Sequence, residues 1–190
     1  MYQKYHTPAL VLGSREYGES DRVYALYTQD FGLVRARASA VRSEKSKMRY
    51  ALQHYALARV SLVRGKRGWR AAGASAISAV RGGERGAAVF ARIAGLVMRL
   101  VAGEERNDFL FDTLVHAREF LTTGESTLVP TVELVCVARV LFALGYISAE
   151  ALETAIFTHT AYSMEHLAEV SAIQDKLLSS INRALSETHL

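Results

Sequence analysis

The chain has 190 residues, half of them hydrophobic and 22% charged, with 2 prolines and 13 glycines; it is long enough to bury one large core or two small ones, and too regular in composition to be low-complexity or disordered throughout. The net charge of +4 conceals a division, because residues 1–85 hold 16 Lys/Arg against 6 Asp/Glu and residues 86–190 hold 7 against 13. The first half is therefore suited to a polyanion, and the second to a different surface role.

From 6 to 80 the apolar residues alternate or form short runs between turn signals, which predicts strands near 6–16, 21–29, 32–42, 54–64 and 68–77. Asp30-Phe31-Gly32 punctuates the second and third strands, and Gly65 to Gly68 the fourth and fifth. Within the third, Val34, Ala36, Ala38 and Ala40 fall on one face, and Arg35, Arg37 and Ser39 on the other. Five short strands of this kind fit a general β-barrel and, more specifically, an OB-fold, whose exposed strands and loops bind oligonucleotides.

Basic residues gather in two places along this half. Arg35, Arg37, Arg42, Lys45, Lys47 and Arg49 form one cluster, opposed only by Glu44. Arg64, Lys66, Arg67 and Arg70 form the other, with Trp69 among them. Lys and Arg neutralise phosphates and release condensed counterions, giving salt-sensitive, sequence-independent affinity. Trp69 is the best-placed aromatic for stacking on an unpaired base, ahead of Tyr17, Tyr50 and Tyr55, although core packing explains each ring at least as well.

The stretch 81–86, with Gly82, Gly83 and Gly86 among charges, reads as a linker. The predicted organisation is α+β and multidomain: an OB-fold domain over 1–80, that linker, and an all-α domain over 87–190. Phe90, Ile93, Ala94, Val97 and Val101 recur at helical spacing before Gly103. Asn107 or Asp108 caps a second helix carrying Leu110, Leu114, Ala117 and Leu121, ended by Gly124. Pro130 opens a third, apolar nearly all round and hence central, which closes at Gly145 with Tyr146 folding back. A further helix is expected near 148–157, and a last near 163–187 whose face carries Met164, Leu167, Ala168, Leu178, Ile181 and Leu185, with a break in period at 171–174.

The longest apolar stretches, 86–103 and 131–147, contain Arg92, Arg99, Glu133 and Arg139, and read as buried helices rather than membrane spans. With no secretion signal at its start and Cys136 as its one cysteine, the chain is expected in the cytoplasm, with that thiol packed as a hydrophobe. No cofactor motif is present, since neither glycine-rich stretch has the phosphate-loop pattern. Glu16, Glu19 and Asp21 are the only acidic cluster of the first half; they read as a surface loop in preference to a Mg²⁺ site. The six histidines show no metal-ligand spacing, although His159 and His166 could share a helix face two turns apart. The chain is expected not to be an enzyme.

One run of residues is more specific. Tyr5-His-Thr-Pro-Ala-Leu-Val-Leu-Gly-Ser-Arg-Glu-Tyr-Gly-Glu-Ser-Asp-Arg22 resembles the opening of RecO family proteins. Ala25-Leu-Tyr-Thr28, Gly32-Leu-Val-Arg-Ala36, Val41-Arg42, Ser46-Lys47, Leu52-Gln53, Arg64-Gly65 and Trp69-Arg70 continue the likeness in order, and residues 133–146 resemble the central helix of the family's second domain. The resemblance implies an N-terminal OB-fold, a helical C-terminal domain and a recombination mediator working without ATP. Such proteins bind single- and double-stranded DNA, anneal complementary strands, engage single-strand-binding protein and, with a RecR-type partner, help load the RecA-type recombinase. On family-like positions, Arg35, Arg37, Arg42, Lys47, Arg64 and Arg70 are expected to contact phosphate; Lys45, Arg49, Lys66, Arg67 and Trp69 join them by charge and position. Reversing Arg35, Arg37 and Arg42 together is expected to abolish binding and spare the fold. Many relatives carry a four-cysteine zinc module that one cysteine cannot build. Arg99 and Arg139 are candidates for receiving an acidic, apolar tail. The competing reading is an RNA-binding OB-fold protein with a helical oligomerisation domain.

Overall fold

The computed structural model describes residues 3–78, 84–123, 126–149 and 154–188. They fall into two compact units, one of residues 1–80 with 102–108, the other of 81–101 with 109–190.

The first unit is built on five strands: β1 (Lys4–Tyr17), β2 (Asp21–Thr28), β3 (Gly32–Ala38), β4 (Leu57–Gly65) and β5 (Gly68–Ser78). They close into a barrel in the order β1-β2-β3-β5-β4, with β4 returning to β1. Every pairing is antiparallel except β3 with β5. This is the five-stranded OB-fold. β1 serves two partners, pairing with β4 over 4–10 and with β2 over 9–17, and a bulge between Val11 and Gly13 bends it between them.

Alternation fills the interior. Ala9, Val11, Tyr24, Leu26, Val34, Ala36, Ala38, Ala58, Val60, Leu62, Trp69 and Ala71 share one core. Alanines suit a barrel too narrow for large side chains on every strand, while each larger aliphatic contributes about 1.5–3 kcal/mol by burial. At one end Tyr5, Phe31 and Trp69 pack together, with ring centroids 5.1–5.6 Å apart.

β3 ends at Ala38, so Ala40 does not continue the inner face as its alternation implied. Ala40 is exposed, with φ 53°, and its N–H donates to the Asp21 carboxylate at 2.8 Å. This side-chain acceptor draws the chain out of the ladder into a turn. A short helix, α1 (Met48–Ala51), follows before β4; four residues are too few to leave a helical period in the sequence.

Ala102–Asp108 groups with the barrel rather than with the helices on either side. Gly32 is the reason for a close fit there: its φ is +61°, and a Cβ would collide with the Glu105 backbone carbonyl.

The second unit contains α2 (Glu84–Leu100), α3 (Asp108–Thr123), α4 (Val129–Ala143) and α5 (Met164–Glu187). Of the stretch read as a linker, residues 84–86 form the first turn of α2, and 81–83 lie outside the described residues. Gly86 belongs there because α3 passes so close that a side chain would meet the Leu121 carbonyl. α4 packs against both α2 and α5. Its end is a Schellman motif: Gly145, at φ 80°, donates to the Phe142 carbonyl at 2.9 Å, and Tyr146 to that of Leu141 at 2.8 Å.

The helix expected near 148–157 is not seen as such. Residues 150–153 lie outside the described set, and Ala155–Phe157 form one 3-10 turn. α5, by contrast, is continuous through 171–174. Its buried face is Leu167, Val170, Leu177, Ile181 and Ala184, with half-buried Ile173 filling the apparent gap. Met164, Ala168 and Leu178, assigned to that face by sequence, are exposed. Among the described residues no helix is long and apolar enough to cross a membrane.

Candidate nucleic-acid interface

Strand register brings the two basic clusters together. Arg37 of β3 pairs with Arg70 of β5 across the parallel seam. Following the same row outward, Arg37 lies opposite Val23, and Val23 opposite Arg15 of β1. In the other direction Arg70 lies opposite Val63, and Val63 opposite Lys4. Directly opposed residues share a face, and adjacent strands are about 5 Å apart. Arg15, Arg37, Arg70 and Lys4 thus form one basic row on the outside of the barrel, all of them exposed. Arg15 and Lys4 were not singled out from sequence, because no spacing along the chain marks a row that crosses the strands.

The other predicted contacts differ in how free they are. Arg35 is exposed one outward position before Arg37, and Lys45, Lys47, Lys66 and Arg67 are exposed in the connections. Arg37 is tied to Asp21, with Nη2 to Oδ2 at 2.6 Å, and its guanidinium lies 4.5 Å from the Tyr17 ring centre. Arg42 holds the β1–β2 turn: its Nη1 donates to the Glu19 carbonyl at 2.9 Å, and its backbone N–H to that of Ser20 at 3.0 Å. Arg37 and Arg42 thus make structural contacts in addition to carrying charge. Arg64 sits 3.5 Å from the Glu104 carboxylate and over the Trp69 ring.

Trp69 itself is 5% exposed and belongs to the core, so it offers no face to a base. The inward alternation Trp69, Ala71 on β5 decides this. Tyr17 and Tyr50, ranked behind it, are the rings left open, at 48% and 60% exposure. Tyr55 is half-buried, with φ 65°.

The acidic trio is not a loop cluster. Asp21 begins β2 and is buried, and Glu16 lies in β1. The Ala40 N–H, then Arg37, hold the Asp21 carboxyl below its ordinary range. Among the described residues no three His, Cys, Asp or Glu side chains come together as a metal site. His159 and His166 do stack, with centroids 4.9 Å apart, but His159 lies outside the helix that carries His166.

A cleft of about 540 Å³ opens at the end of the barrel that carries the β1–β2 turn. Its walls include Glu16, Arg22, Tyr24, Arg42, Arg49, Tyr50 and His54. Sequence reasoning missed Arg22 and His54, which come from β2 and from the connection after α1. The one available signal was Arg22 alternating with Tyr24 on a strand.

In the helical unit, Arg139 is 1% exposed and fully engaged. It donates to the carbonyls of Ile156 at 2.7 Å, Thr160 at 2.9 Å and Ala161 at 3.2 Å, and lies over the Tyr162 ring. It cannot receive an acidic tail; Arg99 remains exposed. Cys136 is buried, and burial pushes its thiol up to about 11.

Comparison with known proteins matches the barrel. Residues 1–71 fit the family described as Recombination protein O N terminal. A "DNA repair protein RecO" of Desulfitobacterium hafniense is 45% identical over 62 residues, 33% of this chain and 23% of that protein. Those of Dehalococcoides mccartyi and Myxococcus xanthus are each 39% identical, over 33% and 32% of this chain and 24% and 25% of their own lengths. The matched segment thus spans about a quarter of each relative. Over residues 1–71, its N-terminal OB-fold domain, the chain is similar to RecO family proteins.

Proposed function

We propose that this chain is a DNA-repair mediator that binds single- and double-stranded DNA through the outer face of its barrel and promotes annealing without ATP. The observation that carries this reading is the row Lys4, Arg70, Arg37, Arg15, flanked by Arg35. Cations spread across the strands match a polyanion crossing the barrel, and nothing in the row selects a base. Neutralised phosphates repel less, so two strands approach, and base pairing then supplies the driving force. The likeness to RecO proteins supports engagement of single-strand-binding protein and a RecR-type partner, and help in loading a RecA-type recombinase, with the chain acting beside cytoplasmic DNA.

The test is annealing of complementary oligonucleotides precoated with single-strand-binding protein, in the absence of ATP. The mediator reading expects acceleration that fades with rising salt. Acceleration of bare strands only would retain the DNA-binding barrel and remove the coated-DNA function. Failure with both, together with preference for RNA in competition, would replace this reading with an RNA-binding one.

A further inference from the structure

We infer that the cleft at the β1–β2 end of the barrel is a subsite for one unstacked nucleotide of a single strand, with the Glu16 carboxylate standing where a phosphate binds. The inference rests on the DNA-binding reading above and goes beyond it, because the basic row needs no such pocket.

Three observations carry it. Glu16 bridges two guanidinium groups, with Oε1 3.5 Å from Arg22 and Oε2 3.4 Å from Arg42. These are long for charge-assisted hydrogen bonds, which run to about 2.7–2.9 Å, and the Glu16 side chain is 58% exposed. A carboxylate so loosely held is displaceable by an anion of higher charge. Second, the Nε of Arg22 is buried without a hydrogen-bond partner. That leaves Arg22 under-satisfied, and the end of its guanidinium open to a phosphate is Nη2, the nitrogen that faces Glu16. Third, Tyr50 lines the same cleft with its ring 60% exposed, and the Arg49 guanidinium lies 4.7 Å from the ring centre. That is a platform for a base beside a site for its phosphate.

The cleft volume of about 540 Å³ falls among small-ligand sites, roughly 300–1,000 Å³. Its charge is unbalanced, with Arg22, Arg42 and Arg49 facing Glu16 alone. On β1 the row and the cleft occupy opposite faces of successive residues, with Tyr17 touching Arg37 and Glu16 lining the cleft. A strand that leaves the row over this end of the barrel has a site into which one nucleotide can turn.

The experiment titrates the full chain and its variants with a labelled oligothymidylate at fixed moderate salt. Glu16→Gln is expected to tighten binding about two- to fivefold, the range of a surface ion pair removed from competition. Misfolding cannot imitate that gain. Tyr50→Ala is expected to weaken binding about fivefold or more, with Tyr50→Phe restoring it. If Glu16→Gln and Tyr50→Ala both bind as the unmodified chain does, while Arg35→Glu with Arg70→Glu destroys binding, the subsite falls and the DNA-binding barrel stands. If the unmodified chain binds no DNA, both fall. Thymidine monophosphate alone binding as tightly as the oligomer would assign the cleft to a free nucleotide and overturn the inference.

Discussion

Arg37 grips one oxygen of Asp21 from two nitrogens, Nη2 at 2.6 Å and Nε at 2.7 Å. The other oxygen accepts the Ala40 N–H at 2.8 Å. The most prominent arginine of the basic row is therefore also a strut between β2, β3 and the turn that follows. Arg37 thus belongs both to the proposed interface and to the framework of the fold, so substitutions there report on both.

Asp21→Asn is expected to lower the denaturation midpoint at neutral pH and to flatten its acid side. The native carboxyl titrates below its ordinary value of 3.8, chiefly because the Ala40 N–H and Arg37 favour the charged form. Its contribution is complete above that ordinary value and is lost as pH falls through the lowered native one. Urea midpoints of both chains, measured from neutral pH down to about pH 3, should converge toward the acid end. Parallel curves would contradict this role.

Arg35→Glu with Arg70→Glu is the clean disruption of the interface, because neither side chain has an ion pair among the described residues. Affinity for single-stranded DNA should fall, and the log–log salt slope should shrink by about 0.7 for each phosphate that is no longer neutralised. Thermal stability should change by less than about 0.5 kcal/mol, as for other exposed sites. Binding with an unaltered salt slope would move the interface elsewhere.

Trp69 is the single tryptophan, so intrinsic tryptophan fluorescence reports on it alone. A ring 5% exposed against Tyr5 and Phe31 should emit in the blue, resist quenching by acrylamide, and change little when single-stranded DNA binds. Trp69→Ala should destabilise the barrel by about 3–5 kcal/mol. Strong quenching by DNA in an otherwise native protein would restore the stacking role.

Arg139→Ala should destabilise the helical unit by about 3 kcal/mol or more, since the carbonyls of Ile156, Thr160 and Ala161 lose a charged donor. Arg99→Ala, on an exposed position of α2, should change stability little. Chemical denaturation followed by circular dichroism separates the two, and equal effects would argue against the buried arginine's structural role.

Local order in the sequence carried most of the architecture. Alternation at Val34, Ala36 and Ala38, the turns at Gly32 and Gly65–Gly68, and the Pro130 and Gly145 limits of α4 are written in contiguous residues. So is the charge contrast between halves, because composition needs no folding to be read. What only tertiary structure decided involves partners distant in sequence. The row Lys4, Arg70, Arg37, Arg15 exists through pairing across strands, and α1 is too short to show a period. Arg139 is buried only because carbonyls beyond α4 turn toward it. Trp69 was misjudged for the same reason: its charged neighbours mark the surface, yet its own side chain falls on the inward phase of β5. The cleft at Glu16 and Arg22 likewise needs the barrel to close, since only closure sets the connection after α1 beside the β1–β2 turn.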